Sequence, residues 1–417
     1  MLMNKKDYKI HIIGAGISGL IAARVLENHG YFPIIIEASD SVGGRVKTDV
    51  VKGYQLDHGF QVLLTAYPAA QKYLDFKTLE LQKFIPGAAI FKSGRQVIIG
   101  DPLRDFSLLF STLFSGIGNF GDKLKILKLN NRLKKKTLAD IFSEKEQTTL
   151  AYLQTVGFSA EMIDQFFKPF FSGIFLESEL ETSSRMFEYV YKMFGEGFAA
   201  LPKSGIGAIP RQLAENLNNT SIRFNSPVSS VNDQEITLKN GEKVQTDFTI
   251  IATEASGLIQ NLSNQATKWK SCDTLYFETK ERIIAKPLIG LISADTLINN
   301  IFYHTSLATS QKSKNQLLSV TVVKNHSLSQ ESLVNQVISE LQEHCGIDSC
   351  NFLKQYNIPL ALPKLANLQY EMLPSETRLT TTIFLAGDTQ LNGSLNAAMI
   401  SGERAALGVI ETLTANH

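Results

Sequence analysis

A chain of 417 residues exceeds what one hydrophobic core usually organises, so two consecutive or intertwined domains are expected. Hydrophobic residues make up 44% and charged residues 19%, which excludes a disordered chain. Lys plus Arg (41) nearly cancels Asp plus Glu (40), so no global field draws the molecule to nucleic acid.

Met1 to Lys9 carries Lys5, Lys6 and Lys9 but runs into a β-like segment without an apolar leader or cleavage signal, which points to the cytoplasm. No run reaches the ~18 consecutive apolar residues that span a bilayer. The next segments read as strand, glycine turn, helix and strand: Lys9 to Ile13, Gly14-Ala15-Gly16-Ile17-Ser18-Gly19, Leu20 to Asn28, and Ile34 to Glu37. Gly30 and Pro33 punctuate the boundaries of this βαβ unit.

From about Thr65 to Ala200 the composition turns rich in Phe, Leu and Lys at mainly helical spacing, and a separate, largely helical region is expected. Phe166-Phe167-Lys168-Pro169-Phe170-Phe171 and Met186 to Phe194 read either as an apolar pocket wall or as core. A second glycine pattern, Gly116 to Gly121, lacks a clean strand before it and an acidic strand tip after it. It reads as a helix–helix connection rather than an NADPH site. The basic run after it (Lys123, Lys125, Lys128, Arg132, Lys134, Lys135, Lys136) is expected to be a solvated face. The alternative is a peripheral membrane contact through residues 106–136.

Ser221 to Thr253 reads as a β-meander with an Asn240-Gly241 hairpin turn. A strand over Leu317 to Val323 and a helix over Ser329 to Glu343 follow. A strand over Thr382 to Ala386 and a terminal helix over Asn396 to Thr412 close the chain. The three cysteines, Cys272, Cys345 and Cys350, are too few for a disulfide framework and lack the partners of a metal site, so they read as core thiols in a reducing compartment.

Gly14, Gly16 and Gly19 suit a tight turn, backbone approach to a pyrophosphate and helix-on-strand packing, with Glu37 at the strand tip for a ribose hydroxyl. That unit leaves FAD and NAD undecided. Beyond it stand Glu37-Ala38, Gly43-Gly44-Arg45, Leu56-Asp57-His58-Gly59-Phe60-Gln61, Ser226-Pro227-Val228, Leu385-Ala386-Gly387-Asp388 and Gly393 to Ala398 running on to Gly402-Glu403-Arg404-Ala405-Ala406. On these motifs the chain resembles the flavin-containing amine oxidase superfamily, which includes protoporphyrinogen oxidases and phytoene-desaturase-like proteins.

The resemblance implies an α/β fold: a doubly wound FAD domain from segments 1–75, 205–255 and 380–417, and a mixed α+β substrate domain from 76–204 and 256–379. It places cofactor contacts at Gly14, Ala15, Gly16, Ile17, Ser18, Gly19, Glu37, Ala38, Gly43, Gly44, Arg45, Gly59, Phe60, Gln61, Val228, Thr253, Gly387, Asp388, Ser394, Leu395, Asn396 and Ala398. Arg45 would meet pyrophosphate oxygens, Val228 the adenine through its backbone, and Asp388 a ribityl hydroxyl. The start of the last helix would aim N–H groups at the flavin's pyrimidine ring.

His58 and Gln61 are the candidates for acid–base or polar roles beside the flavin, unless this segment only holds a turn. No Cys follows Cys350, so the terminal segment offers no thiol for a covalent link and FAD is expected to bind non-covalently. The aromatic residue that amine oxidases carry before the final helix corresponds to Ser394 here. Their flavin-facing Lys has no evident counterpart between Ala255 and Arg282, although Tyr276, Phe277 or Tyr303 could supply an aromatic cage from another direction. The expected activity is a desaturase- or isomerase-type oxidoreductase on an apolar substrate with an unassigned electron acceptor. An amine oxidase and a non-catalytic flavin-binding protein are the alternatives.

Overall fold

The computed structural model describes residues 4–92, 95–100, 117–292, 295–310 and 314–415. Among the described residues, five short strands form a wholly parallel sheet in the order Ser221–Arg223, Ile34–Ile36, Ile10–Ile13, Phe248–Ile251, Ile383–Leu385. A parallel sheet is covered on both faces, so its strands are near-continuous apolar runs. Ile10, Ile12, Ile35, Ile250 and Phe384 are fully buried. The helices Ile17–Asn28 and Leu395–Ala415 pack against each other on this sheet, which ties the two ends of the chain together.

The expected meander divides. Val228–Val231, Glu235–Leu238 and Lys243–Gln245 form an antiparallel sheet turned at Asn240-Gly241, whereas the flanking Ser221–Arg223 and Phe248–Ile251 belong to the parallel sheet. Short apolar runs do not reveal which neighbour they pair with, and here burial between two layers decides it.

A larger, mixed sheet has seven strands in the order Asn351–Lys364, Lys268–Thr279, Gln316–Val322, Ile298–Tyr303, Ile289–Ile292, Gly87–Lys92, Arg95–Gly100. The last two correct the expectation of a mainly helical region from about residue 65. Gly87–Lys92 pairs in parallel with Ile289–Ile292, far along the chain, so no local periodicity reports it. After the short helix Pro68–Tyr73, the described helices of this region include Phe120–Lys135, Thr149–Val156, Lys168–Phe175 and Ser184–Glu196. They enclose a stack of rings in which Phe167, Phe171, Phe175 and Phe187 are buried. The helix Gln330–Cys345 covers the far side of the large sheet through Leu333, Val337 and Leu341.

Candidate functional site

Ligands of open α/β sheets bind beyond the carboxyl ends of the strands. Gly14, Glu37, Thr253 and Gly387 all lie just past such ends, and all four line one cavity of about 1300 Å3. Its wall also takes in Gly16, Ile17, Ser18, Gly43, Gly44, Arg45, Gly59, Phe60, Gln61, Asp388, Ser394, Leu395 and Ala398. Small-molecule sites usually hold roughly 300–1,000 Å3. This cavity has room for a large cofactor and a second molecule.

The residues at its nucleotide end fit a flavin dinucleotide. The helix Ile17–Asn28 opens on the cavity with no side chain capping its N-terminus, and a Cβ on Gly16 would meet nothing within 4 Å. Bare backbone at a positive helix end is what a pyrophosphate requires. A Cβ on Gly19 would stand 2.0 Å from the Gly14 carbonyl oxygen, so helix and turn pack this closely only with glycine. The Glu37 carboxylate is buried, accepting from the Ala15 N–H at 2.6 Å and from the Ser39 N–H and hydroxyl at 2.8 Å each. It is held rigid at the strand tip with lone pairs to spare.

Five of the expected contacts lie off the lining. Ala15 and Gly19 sit behind the turn, Ala38 is exposed, and Val228 packs on the core that includes Ile13 and Ile36. Asn396 is fully buried; its Oδ1 accepts from the Ala69 N–H at 2.9 Å, while its Nδ2 finds no partner in the protein. Arg45 and Asp388, expected to hold different parts of the cofactor, meet each other: Arg45 Nη2 lies 2.5 Å from Asp388 Oδ1. The guanidinium also rests 4.9 Å from the centre of the Trp269 ring. Ser394 caps the last helix by accepting from the Ala397 N–H at 3.0 Å and donates to Asn392 Oδ1 at 2.7 Å.

His58 lines the cavity with its ring tilted against Tyr356 at 4.4 Å and Nε2 3.0 Å from Asp49 Oδ1. Partial burial works against the charge on Asp49, but the hydrogen bond from the Tyr356 hydroxyl and the nearby His58 ring outweigh it and hold this carboxyl below its ordinary value. Gln61 spends both amide hydrogens on the backbone, at Arg45 O (2.9 Å) and His58 O (2.8 Å), and so fixes the loop that carries its neighbours.

Away from the nucleotide end the cavity is walled by Phe166, Phe170, Phe171, Phe175, Met186, Val190, Tyr191, Phe194 and Phe198. The aromatic stretches thus serve pocket and core together, with Phe167 and Phe187 turned into the core. Tyr276, Phe277 and Tyr303 do not reach the cavity; all three are buried, and Tyr276 donates to the Asp57 carbonyl at 2.8 Å.

The stretch Tyr356 to Leu365, Trp269 and Lys270 also line the cavity without having been singled out from the sequence, and so does Cys272, which was read as a core thiol. Lys270 lies in the stretch from Ala255 to Arg282, where no counterpart of the flavin-facing lysine was evident, and it lines the cavity. Its ammonium, however, is taken up by Glu177 (2.6 Å), the Phe175 carbonyl (2.9 Å) and the Thr182 hydroxyl (3.0 Å).

The second glycine pattern leads into the helix Phe120–Lys135, whose N-terminus is closed by a reciprocal cap between Asn119 and Asp122. Gly116 and residues 106–115 of the expected membrane contact lie outside the described residues. Among the described residues no cluster of His, Cys, Asp or Glu is placed to hold a metal ion, and no helix is long and apolar enough to cross a membrane.

Similarity to known proteins agrees with this geometry. The chain is 28% identical over 277 residues to an L-amino acid dehydrogenase from Synechocystis sp., a match covering 58% of this chain and 55% of that protein. It is 27% identical over 169 residues to protoporphyrinogen oxidase 2, chloroplastic/mitochondrial, from Arabidopsis thaliana, covering 40% of this chain and 32% of that one. A solved structure of putrescine oxidase bound to putrescine superposes with a TM-score of 0.69 at 16% identity, over 97% of this chain and 99% of that one. The family described as flavin containing amine oxidoreductase matches residues 17–410. This chain belongs to the flavin-containing amine oxidoreductase family, and FAD is its cofactor.

Proposed function

We propose that the chain is an oxidoreductase of the desaturase or isomerase type acting on an apolar, lipid- or isoprenoid-like substrate. FAD supplies a hydride acceptor at its N5, which carries the redox chemistry. The observation that carries the reading is the wall of phenylalanines, with Met186 and Val190, along the cavity beyond the nucleotide end. Such a wall positions an apolar chain by contact area and keeps water from the reacting carbon. The N-terminal turn of Leu395–Ala415, which borders the cavity, offers backbone N–H groups where negative charge would collect. His58, backed by Asp49, is the group proposed to hold or move a proton on the substrate side, with Gln61 fixing its loop.

An amine substrate is the second reading, favoured by Trp269 and Tyr356, which bring aromatic faces to the cavity. Both are already engaged, Trp269 by Arg45 and Tyr356 by His58 and Asp49. Glu177, a carboxylate that could draw an ammonium, is neutralised by Lys270. Anaerobic stopped-flow mixing with a panel of polyenes and unsaturated acyl lipids, and with a panel of amines and amino acids, tests the choice. Fast flavin bleaching by an apolar compound is expected, and bleaching by amines alone would overturn the proposal. A flavin that no compound and no chemical reductant bleaches would point to a non-catalytic role.

A further inference from the structure

We propose that the outward face of the helix Phe120–Lys135 docks on an anionic lipid surface and sets the mouth of the cavity against it. This rests on the reading of an apolar substrate.

The helix has two apolar sides. Leu129 and Leu133 are buried in the core, whereas Phe120, Leu124 and Leu127, at positions i, i+4 and i+7, are 72%, 45% and 44% exposed. One surface stripe therefore holds three large apolar side chains that the fold leaves in water, and Leu127 also lines the cavity. On a wheel of about 100° per residue, Lys128, Lys134 and Lys135 flank this stripe, and all three are exposed. Arg132 and Lys136 turn the other way, onto Glu188 at 3.0 and 2.7 Å. The sole acidic residue of the helix, Asp122, is fully buried and takes up the Asn119 N–H and the Ser159 N–H and hydroxyl.

The outward face is thus apolar at its centre over the two turns from Phe120 to Leu127, with the exposed Asn131 next along the stripe, and basic at both margins. Protein–protein interfaces deplete lysine, whereas a lipid surface accepts it: the apolar groups enter the acyl boundary while the ammonium groups remain among anionic headgroups. Because Ile126 and Leu127 continue from this helix into the cavity lining, a molecule leaving the lipid would pass from one apolar surface to the next.

Flotation of the FAD-loaded enzyme with phosphatidylcholine vesicles, with and without phosphatidylglycerol, tests the proposal. Wild type is expected to float with the anionic vesicles and to be released by high salt. Phe120→Ser with Leu124→Ser, neither of which lines the cavity, should lower partitioning by about tenfold or more at unchanged flavin content and melting temperature. Lys128→Ala with Lys135→Ala should remove most of the preference for phosphatidylglycerol, an effect on the order of tenfold.

Wild type that stays at the bottom of the gradient, or variants that float as well as wild type, would overturn the docking. So would a lipid-free dimer that dissociates on Phe120→Ser with Leu124→Ser, since the face would then hold a second copy. Flavin bleaching by a detergent-dispersed polyene is read separately. Bleaching without flotation removes the docking and leaves the substrate reading, and flotation without bleaching by any apolar compound does the reverse.

Discussion

At the scale of single residues, the informative groups are carboxylates whose surroundings pull them in opposite directions. Asp57 is buried beneath the His58 loop, and that burial raises its pKa to about 6 despite hydrogen bonds from the Thr48 hydroxyl and the Ile206 N–H. A carboxyl whose folded pKa lies above its unfolded value makes the folded state bind more protons between the two values. Its contribution to stability is therefore fullest below about pH 4, falls as pH rises towards about 6, and is flat above that. The loss amounts to about 3 kcal/mol. Asp49 and Glu403, held below their ordinary values, act with the opposite sign. The stability difference between Asp57→Asn and wild type isolates Asp57: it should grow in favour of the variant from about pH 4 to 6 and then level off. Urea denaturation across this range measures it, and a difference independent of pH would refute the assignment.

Glu37 poses the complementary case, a buried carboxylate that the fold supplies with three donors and keeps at the cavity edge. Glu37→Ala strands the Ala15 N–H and removes an acceptor from the cofactor, so FAD affinity should weaken by about 1.5–3 kcal/mol. Arg45→Ala should act in the same direction but near the lower limit, because the Arg45 side chain is 41% exposed and screened. The ratio of flavin to protein absorbance after dialysis reads both. Full occupancy in both variants would move the cofactor elsewhere.

At the scale of elements, two helix starts that follow glycine-rich turns behave differently. The helix Ile17–Asn28 starts at an uncapped glycine beside the cavity. The helix Phe120–Lys135 starts at Asn119, with the Asp122 carboxylate in its first turn. In the second, a side-chain carboxylate already occupies the place a phosphate would take, and its charge repels one. NADPH is therefore expected not to reduce the flavin directly. Anaerobic mixing that bleaches the visible flavin band within seconds would contradict this.

The same contrast shows what the sequence could convey. The first βαβ unit was legible because strand, turn, helix and acidic tip follow one another within a single stretch, and the terminal helix, expected over Asn396 to Thr412 and found over Leu395–Ala415, was legible after the strand and Gly387-Asp388 that precede it. Gly87–Lys92 was not, since it gains its place only from Ile289–Ile292. Within the site, Gly14, Gly16 and Glu37 were legible for the same local reason, whereas Gly43, Gly44, Gly59 and Gly387 came from the family resemblance. The Phe166 to Phe171 segment was half legible: its spacing announces an apolar face without saying whether side chains or a ligand will cover it. Tyr356 to Leu365 went unread because its pocket-facing side depends on how the strand sits against Lys268–Thr279.

At the scale of the whole molecule, the end of the cavity that fits the cofactor is assembled from parts that are remote in sequence: the first turn and strand tip, the His58 loop, Thr253 after the fourth strand of the sheet, and the start of the last helix. The opposite wall of the cavity comes from the large sheet through Trp269 and Tyr356 to Leu365. A cofactor filling this cavity would touch both walls, so its binding free energy would add to the folding free energy of the molecule as a unit, about 2.7 kcal/mol when the free cofactor stands a hundredfold above its dissociation constant.

Cys272 is the cysteine among the cavity's lining residues, and burial pushes its thiol up to about 12, so it remains protonated and a poor nucleophile. Acid should therefore release intact FAD into the supernatant. Gentle removal of the flavin should lower the melting temperature by a few degrees, on the order of 1–2 °C per kcal/mol lost for a chain larger than the usual single domain. It should leave one cooperative transition, and added FAD should restore it. Scanning calorimetry of loaded and stripped protein checks this. Flavin retained in the acid pellet would refute non-covalent binding, and an unchanged transition in the stripped protein would mean that the cofactor does not join the two halves.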